Sequence, residues 1–288
     1  MKQLLILSGK GGTGKTTTAS ALIKFANARA FADCDVDAPN LELVSSLDIA
    51  PVESDYLGSQ KAFINRDKCI GCGFCQLSCR FNAIEMDEDK YKINPIACEG
   101  CGVCEYVCPK NAVAMQDDVA GKMFLFKTED RTFSSAKLKM GRGNSGKLVT
   151  EVKKNLKKNA PNTELAIIDG SPGIGCPVIA SVSGVDMVLL VAEPSVSGLS
   201  DIERISKTCK TFGVKTVLCI NKYDVCPENT EQIESFCRVN DIECIGKIPF
   251  DENVSKAINM GKTIADIDTK ARDALYEIYE KITHILFK

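Results

Sequence analysis

Tryptophan is absent from the 288-residue chain, and His284 is its single histidine. A catalytic histidine is therefore not expected, because one histidine near the C-terminus is by default a surface residue. The formal net charge of −2 predicts no general attraction to nucleic acid or to a membrane surface. No apolar run is long enough to span a bilayer, and no signal peptide precedes the first predicted strand. These absences predict a cytoplasmic protein without nucleic acid or a stable membrane anchor.

Cysteine, by contrast, occurs fifteen times. The cytoplasm keeps thiols reduced, so metal binding is a better interpretation than disulfide bonds. Eight of the cysteines form two copies of the spacing C-x₂-C-x₂-C-x₃-C, which is typical of bacterial ferredoxins with two [4Fe–4S] clusters. The first copy is Cys69, Cys72, Cys75 and Cys79, and the second is Cys98, Cys101, Cys104 and Cys108.

In such a repeat, the fourth cysteine of each copy ligates the other cluster. The sequence therefore predicts one cluster on Cys69, Cys72, Cys75 and Cys108, and a second on Cys98, Cys101, Cys104 and Cys79. Zinc is the competing interpretation, because sites of four cysteines suit it. Zinc sites rarely contain two runs of this kind that exchange their fourth ligand.

The N-terminal apolar run 4–7 leads into a glycine-rich turn and then a predicted helix. Residues 9–16 fit G-x-x-x-x-G-K-[ST] in the strand–turn–helix context that a phosphate-binding loop requires. Lys15 is predicted to reach the β- and γ-phosphates, and the Thr16 hydroxyl to ligate Mg²⁺. The predicted nucleotide contacts of the loop are Gly9, Lys10, Gly11, Gly12, Thr13, Gly14, Lys15, Thr16 and Thr17.

Lys10, directly after the first glycine, gives a loop that resembles the deviant P-loop of the MinD and nitrogenase iron protein family. The resemblance implies an ATPase that forms a homodimer, in which Lys10 reaches the nucleotide of the partner subunit. On physical grounds alone, Lys10 could equally be a solvated charge. By motif position, Asp35 resembles the aspartate that positions the attacking water, and Asp169 resembles the aspartate beside Mg²⁺.

The segment Asn221-Lys222-Tyr223-Asp224 follows a predicted strand. It fits the guanine-reading motif N-K-x-D of GTPases, and it also fits this ATPase family, in which an asparagine contacts adenine. Pro249 is predicted to line the same base pocket. ATP is the expected nucleotide, and GTP remains open at this point.

Strands alternating with helices predict an α/β fold with a mostly parallel, doubly wound P-loop NTPase sheet. The cysteine repeat interrupts this alternation. We therefore expect a P-loop ATPase domain of residues 1–62 and 119–288, with an inserted ferredoxin-like 2[4Fe–4S] domain of residues 63–118.

Two functions fit this combination. In the first, ATP hydrolysis gates the transfer of electrons or a metallocluster to an unidentified protein partner. In the second, the clusters sense redox state, and the nucleotide controls partner binding without net electron transfer.

Overall fold

The computed structural model describes residues 1–44 and 49–288. Its strands are β1 (Lys2–Leu7), β2 (Ala30–Asp33), β3 (Val52–Leu57), β4 (Lys61–Ile64), β5 (Ile84–Asp87), β6 (Lys90–Ile93), β7 (Val113–Gln116), β8 (Val119–Lys127), β9 (Thr132–Leu138), β10 (Leu165–Asp169), β11 (Met187–Ala192), β12 (Lys215–Asn221) and β13 (Glu243–Ile248). Its α-helices are α1 (Lys15–Phe25), α2 (Phe74–Leu77), α3 (Val103–Tyr106), α4 (Ser145–Asn159), α5 (Cys176–Val182), α6 (Gly198–Thr211), α7 (Pro227–Val239), α8 (Glu252–Asn259) and α9 (Lys270–Leu286). Among the described residues, no helix is long and apolar enough to cross a membrane.

The large sheet has the strand order β13-β12-β11-β1-β10-β2-β9-β8-β3. The pairs from β13 through β9 are all parallel. The prediction of an α/β fold with a mostly parallel central sheet is thus confirmed. Strand order reverses at β1, which lies between β10 and β11, and ligands of such sheets bind beyond the carboxyl ends of the strands at this point.

Burial on both faces explains why the strands are continuous apolar runs. The four residues 4–7 of β1 are all buried, although their side chains alternate between the two faces of the sheet. Leu4 and Ile6 belong to a core cluster that also contains residues of α1 and α9. In α9, Ala271, Leu275 and Ile278 recur at helical spacing and are all buried in this cluster.

Contacts divide the chain into two compact units, one of residues 1–53, 123–137 and 145–288, the other of residues 54–122 and 138–144. The smaller unit contains the expected insert 63–118 but is wider. It also includes a separate later segment, because Arg142 pairs with Asp118 at 3.1 Å and the Asn144 side chain donates to the Ser59 hydroxyl.

The smaller unit has two halves of matching structure. Strand β4 pairs with β7 and β5 pairs with β6, both antiparallel. The loop after β4 is closed by the Asn65 side chain, which accepts from the N–H groups of residues 67 and 68, and Asn94 does the same after β6 for residues 96 and 97. Left-handed glycines precede both short helices, with φ of 80° at Gly73 and 77° at Gly102. The sequence repeat is therefore a structural repeat.

Phe133 offers a test of the larger core. Its ring stacks on Phe31 and Phe126 with centroids 5.0 and 5.2 Å away, and it is fully buried. We expect Phe133→Ala to lower the free energy of unfolding by about 3–5 kcal/mol, because it removes a buried ring and leaves a cavity. Urea unfolding followed by circular dichroism measures this. The half-exposed Phe287 is the control, since Phe287→Ala should change the free energy of unfolding by less than about 0.5 kcal/mol.

Candidate functional site

The predicted phosphate-binding loop joins β1 to α1 at the carboxyl end of the sheet. Gly12 and Gly14 have φ of +81° and +93°, in the left-handed region that glycine tolerates. A Cβ at Gly14 would also lie 2.3 Å from the side-chain nitrogen of Asn221. Both constraints explain why the turn is built from glycine, and they leave the helix N-terminus open to an anion.

Lys15 and Thr16 both contact one carboxylate. The Lys15 Nζ lies 2.6 Å from Oδ1 of Asp169, and the Thr16 hydroxyl donates to Oδ2 of Asp169 at 2.6 Å. The ion pair is buried, with exposed fractions of 6% and 0% for the two side chains. The structure therefore brings together three residues that the sequence predicted from two distant motifs.

A second buried carboxylate lies beside Asp169, because parallel pairing of β10 with β2 places Asp33 opposite it. Asp33 accepts hydrogen bonds from the backbone N–H groups of Asp35, Asn40 and Leu41 at 2.9–3.0 Å. Its role in holding the following loop was not predicted. The signal was present in the alternation of aspartates at 33, 35 and 37, which the sequence analysis interpreted only through Asp35.

These charges shift one another's pKa values. Burial, followed by the charge of Asp169, raises the pKa of Asp33 to about 7, against the opposing effect of its backbone hydrogen bonds. Burial also raises the pKa of Asp35. For Lys15, burial lowers the pKa, but the carboxylates around it, Asp169 first, outweigh burial and raise it. Lys15 is thus a cation held by an anionic cluster.

The base-pocket residues meet the phosphate-binding loop at a cavity of about 160 Å³. Its lining includes Gly12, Gly14, Thr17, Asn221, Lys222 and Pro249. The Asn221 side chain donates to the Thr13 carbonyl at 2.7 Å, which fixes it against the loop. Asp224 is not part of the lining, and its carboxylate accepts from the Phe250 N–H at 2.8 Å.

Lys10 lies apart from the Lys15 pair. Its Nζ contacts the Ser195 hydroxyl at 2.8 Å and Glu193 at 3.8 Å. Glu193 also pairs with Lys222 at 3.3 Å. Neither Glu193 nor Ser195 was predicted, although both directly follow β11 at the carboxyl edge of the sheet, where functional side chains are expected.

The turn after β10 contacts both neighbouring loops. The Gly173 N–H donates to the Ser8 carbonyl at 3.1 Å, and the Ser171 hydroxyl donates to the Cys34 carbonyl. Gly173 has φ of +92°. A change in the conformation of this turn would therefore alter contacts with both the phosphate-binding loop and the loop that contains Asp35.

In the smaller unit, the eight cysteines of the repeat line two small cavities of about 20 Å³ each. One cavity is lined by Cys69, Cys72, Cys75 and Cys108, and the other by Cys79, Cys98, Cys101 and Cys104. These are the two sets of four that the exchanged fourth ligand requires.

The fourth cysteine of each run receives a matching backbone hydrogen bond. The Ala83 N–H donates to Sγ of Cys79 at 3.4 Å, and the Ala112 N–H donates to Sγ of Cys108 at 3.3 Å. Within residues 1–44 and 49–288, however, no three cysteine, histidine or acidic side chains converge closely enough to hold a single metal ion.

Comparison with known proteins gives relatives over the full chain. An uncharacterized protein of Methanocaldococcus jannaschii is 33% identical, over 99% of this chain and 97% of that protein. An ATP-binding protein of the same organism is 27% identical, over 97% of this chain and 86% of that protein. A ferredoxin of that organism is 40% identical over only 45 residues, which are 16% of this chain and 27% of that protein.

Solved structures show the same fold. The septum site-determining protein MinD of Pyrococcus horikoshii, in complex with Mg-ADP, aligns with a TM-score of 0.60 over 99% of this chain and 96% of that one, at 18% identity. Residues 4–264 match the family described as the CobQ/CobB/MinD/ParA nucleotide binding domain. The phosphate-binding loop, the buried Lys15–Asp169 pair and this match agree, and the chain belongs to the CobQ/CobB/MinD/ParA family of nucleotide-binding proteins.

Proposed function

We propose that the protein is a Mg²⁺-dependent ATPase whose nucleotide cycle controls the transfer of electrons, or of a metallocluster, from two [4Fe–4S] clusters to a protein partner. The observation that carries the proposal is the presence in one chain of the Lys15–Thr16–Asp169 arrangement and of two cavities with four cysteines each. An ATPase of the MinD type has no need of eight cluster ligands, so the second site has its own function.

Lys15 is the residue that the triphosphate must draw away from Asp169. The phosphates offer several negative charges at the N-terminus of α1, where the open N–H groups already favour an anion. Thr16 and Asp169 would then hold Mg²⁺, which neutralises charge on the phosphate oxygens. Asp169 thereby retains a cation when Lys15 leaves, which avoids a bare buried carboxylate.

Asp35 is suited to act on the attacking water. Its pKa is raised by burial, which makes the carboxylate a better proton acceptor than an exposed aspartate. Its backbone is fixed by the hydrogen bond from the Asp35 N–H to Asp33. The buried Asp33 therefore acts as a positioning residue for Asp35.

Adenine is the base we propose, although the motif N-K-x-D also occurs in GTPases. Reading guanine would require the Asp224 carboxylate to face the base. Here that carboxylate accepts from the Phe250 N–H, and only Asn221 and Lys222 of the motif line the cavity. The ATP-binding relative supports the same choice.

The cysteine cavities suit cubane clusters better than zinc. Each iron of a [4Fe–4S] cluster takes one thiolate, so four sulfurs must surround the cluster, whereas a zinc ion needs four sulfurs about 2.3 Å from one point. The lining of each cavity by three cysteines of one run and the fourth of the other favours the former. Bound there, the clusters would supply one-electron redox chemistry. Reduced thiolate ligands also suit the cytoplasm, where we place the protein.

A homodimer is part of the proposal, through Lys10. In this structure, Lys10 contacts Ser195 and Glu193 of its own chain and is partly exposed, so it can be released toward a partner subunit's nucleotide. The resemblance of the loop to the deviant P-loop is the support for this role.

The second candidate is a redox-sensing switch, in which the nucleotide controls partner binding without net electron transfer. It is favoured by the contacts of Gly173 and Ser171, which link the turn after β10 to two loops around the nucleotide site. Electron delivery to a captured partner distinguishes the first function from the second, which predicts nucleotide-dependent binding alone.

The nucleotide site is tested by separating binding from turnover. We expect Lys15→Ala to weaken ATP binding and to abolish hydrolysis, because it removes the cation for the phosphates. We expect Asp35→Ala to leave binding within about twofold and to lower kcat by at least ~100-fold, because a proton acceptor acts only on the chemical step. Calorimetry and phosphate release measure the two. Equal loss of binding in both variants would contradict these roles, and Lys210→Ala on α6 is the control.

The cluster site is tested by iron content. Protein purified without oxygen should hold about eight iron and eight sulfide per chain. Cys72→Ser and Cys101→Ser should each reduce the iron content toward half, because each removes a ligand of a different cluster. Cys226→Ser, outside the repeat, should leave it unchanged. Four irons or fewer in the reconstituted protein, or stoichiometric zinc, would exclude two clusters.

Dimer formation is tested with Lys10. Light scattering should show an ATP-dependent dimer in Asp35→Ala, because this variant does not hydrolyse ATP and the dimer therefore does not dissociate. The double variant Lys10→Ala, Asp35→Ala should bind ATP and remain a monomer. Near-normal turnover in Lys10→Ala alone would instead show that this lysine is a solvated loop charge.

A further inference from the structure

We propose that the two clusters have different reduction potentials, set by opposite charges at the rims of their cavities, and that the electron rests on the cluster held by Cys69, Cys72, Cys75 and Cys108. The inference rests on the proposed function, since it needs both clusters to bind. We call the cavity lined by these four cysteines the first cavity. The second cavity is lined by Cys79, Cys98, Cys101 and Cys104.

The main chain frames the two cavities in the same way, because the cysteine runs repeat. Each has an asparagine-closed loop, left-handed glycines, a short helix and one N–H donated to its exchanged fourth cysteine. The central cysteine of each helix is buried, and the second cysteine of each run is exposed. The first cysteine of each run differs, because Cys98 is buried and Cys69 is only partly buried.

Side chains at two equivalent positions differ in charge. Lys110 lines the first cavity, and its counterpart in the other half is Phe81, which lines the second. Glu99 lines the second cavity, and its counterpart is Ile70, which lines the first. The first cavity thus has a cation and no anion of this pair, and the second has an anion and no cation.

Two further lysines near the loops occupy equivalent positions, although they donate to carbonyls that are not equivalent. Lys61 donates to the Cys98 carbonyl, and Lys90 donates to the Arg66 carbonyl at 2.8 Å. Both tie the start of a strand to the loop that opens the opposite cysteine run. Each half therefore has one such lysine. Beside the ligands of the second cluster, the cation Arg80 (Pro109 in the other half) and the anion Glu105 (Gln76 in the other half) offset each other, and Lys68 adds a cation beside Cys69 of the first. The sign given by the rim pair of Lys110 and Glu99 therefore stands.

The sign of the effect follows from the charge on the clusters. A cluster with four thiolate ligands is anionic and gains one more negative charge on reduction. A nearby cation stabilises the reduced form and raises the potential, and a nearby anion lowers it. The first cluster is therefore reduced before the second. Because both rim side chains are exposed, the difference should shrink at high ionic strength.

One feature opposes this order. Tyr91 is buried and lines the first cavity, where the equivalent residue of the second is the smaller Ala62. The ring excludes water from the first cluster, and poorer solvation disfavours its more highly charged reduced form. The two rims differ by two full charges, and we assign the order of reduction to them.

Redox titration followed by electron paramagnetic resonance on the full, iron-loaded chain tests the proposal. We expect two midpoints in the unmodified protein. Lys110→Gln should lower only the higher midpoint, and Glu99→Gln should raise only the lower one. The expected size is a tenfold change in the redox equilibrium, which is about 59 mV for one electron. Glu85→Gln, whose side chain lines neither cavity, is the control and should move neither midpoint.

The outcomes separate this inference from the function on which it rests. Failure to bind two clusters would remove the proposed function itself. Two bound clusters with one shared midpoint, or a lower midpoint that falls in Lys110→Gln, would overturn the inference and leave the function standing. Iron content of each variant, measured beside the titration, shows that a shifted midpoint does not arise from a lost cluster. Repeating the titration at high salt should bring the two midpoints closer together.

Discussion

The nucleotide site depends on a buried cation among carboxylates. Asp169 and Asp33 end adjacent parallel strands, so the sheet itself forces two acidic side chains together where neither is exposed. Lys15 makes this arrangement tolerable, because one cation within hydrogen-bonding distance of Asp169 offsets the repulsion. The phosphate-binding loop is thus held in place by the ion pair of Lys15 with Asp169 as well as by its own backbone conformation.

This constraint also orders the parts around it. The Asp33 carboxylate accepts hydrogen bonds from three backbone N–H groups, and these bonds fix the loop that contains Asp35. The strand that ends in Asp169 continues into the turn of Ser171 and Gly173, which contacts the loops on both sides. Exchange of Lys15 for another cation at Asp169 would therefore act on the phosphate-binding loop and on the loop that contains Asp35.

Much of this was predictable from sequence, because the signals were local. The P-loop and the cysteine runs have fixed spacings imposed by phosphate and cluster geometry, and the apolar run 4–7 before the glycine-rich turn indicated the first strand of the sheet. What sequence could not provide were pairings between distant segments. The contacts of Lys10 with Glu193 and Ser195, the hydrogen bond of Asp224 to Phe250, and the inclusion of residues 138–144 in the smaller unit all depend on tertiary structure.

Any coupling between the nucleotide and cysteine sites has a covalent route through strands. Residues of β8 and β9 belong partly to the smaller unit and partly to the larger one. Within the larger unit, β9 pairs with β2, and Ser134 is in register with Ala32, the residue before Asp33. Linkage then requires reciprocity: to the extent that nucleotide changes the potential of a cluster, reduction of that cluster changes nucleotide affinity by the same factor. One coupling free energy therefore accounts for both candidate functions. In the first, the nucleotide changes the redox state of a cluster, and in the second, the redox state changes nucleotide binding.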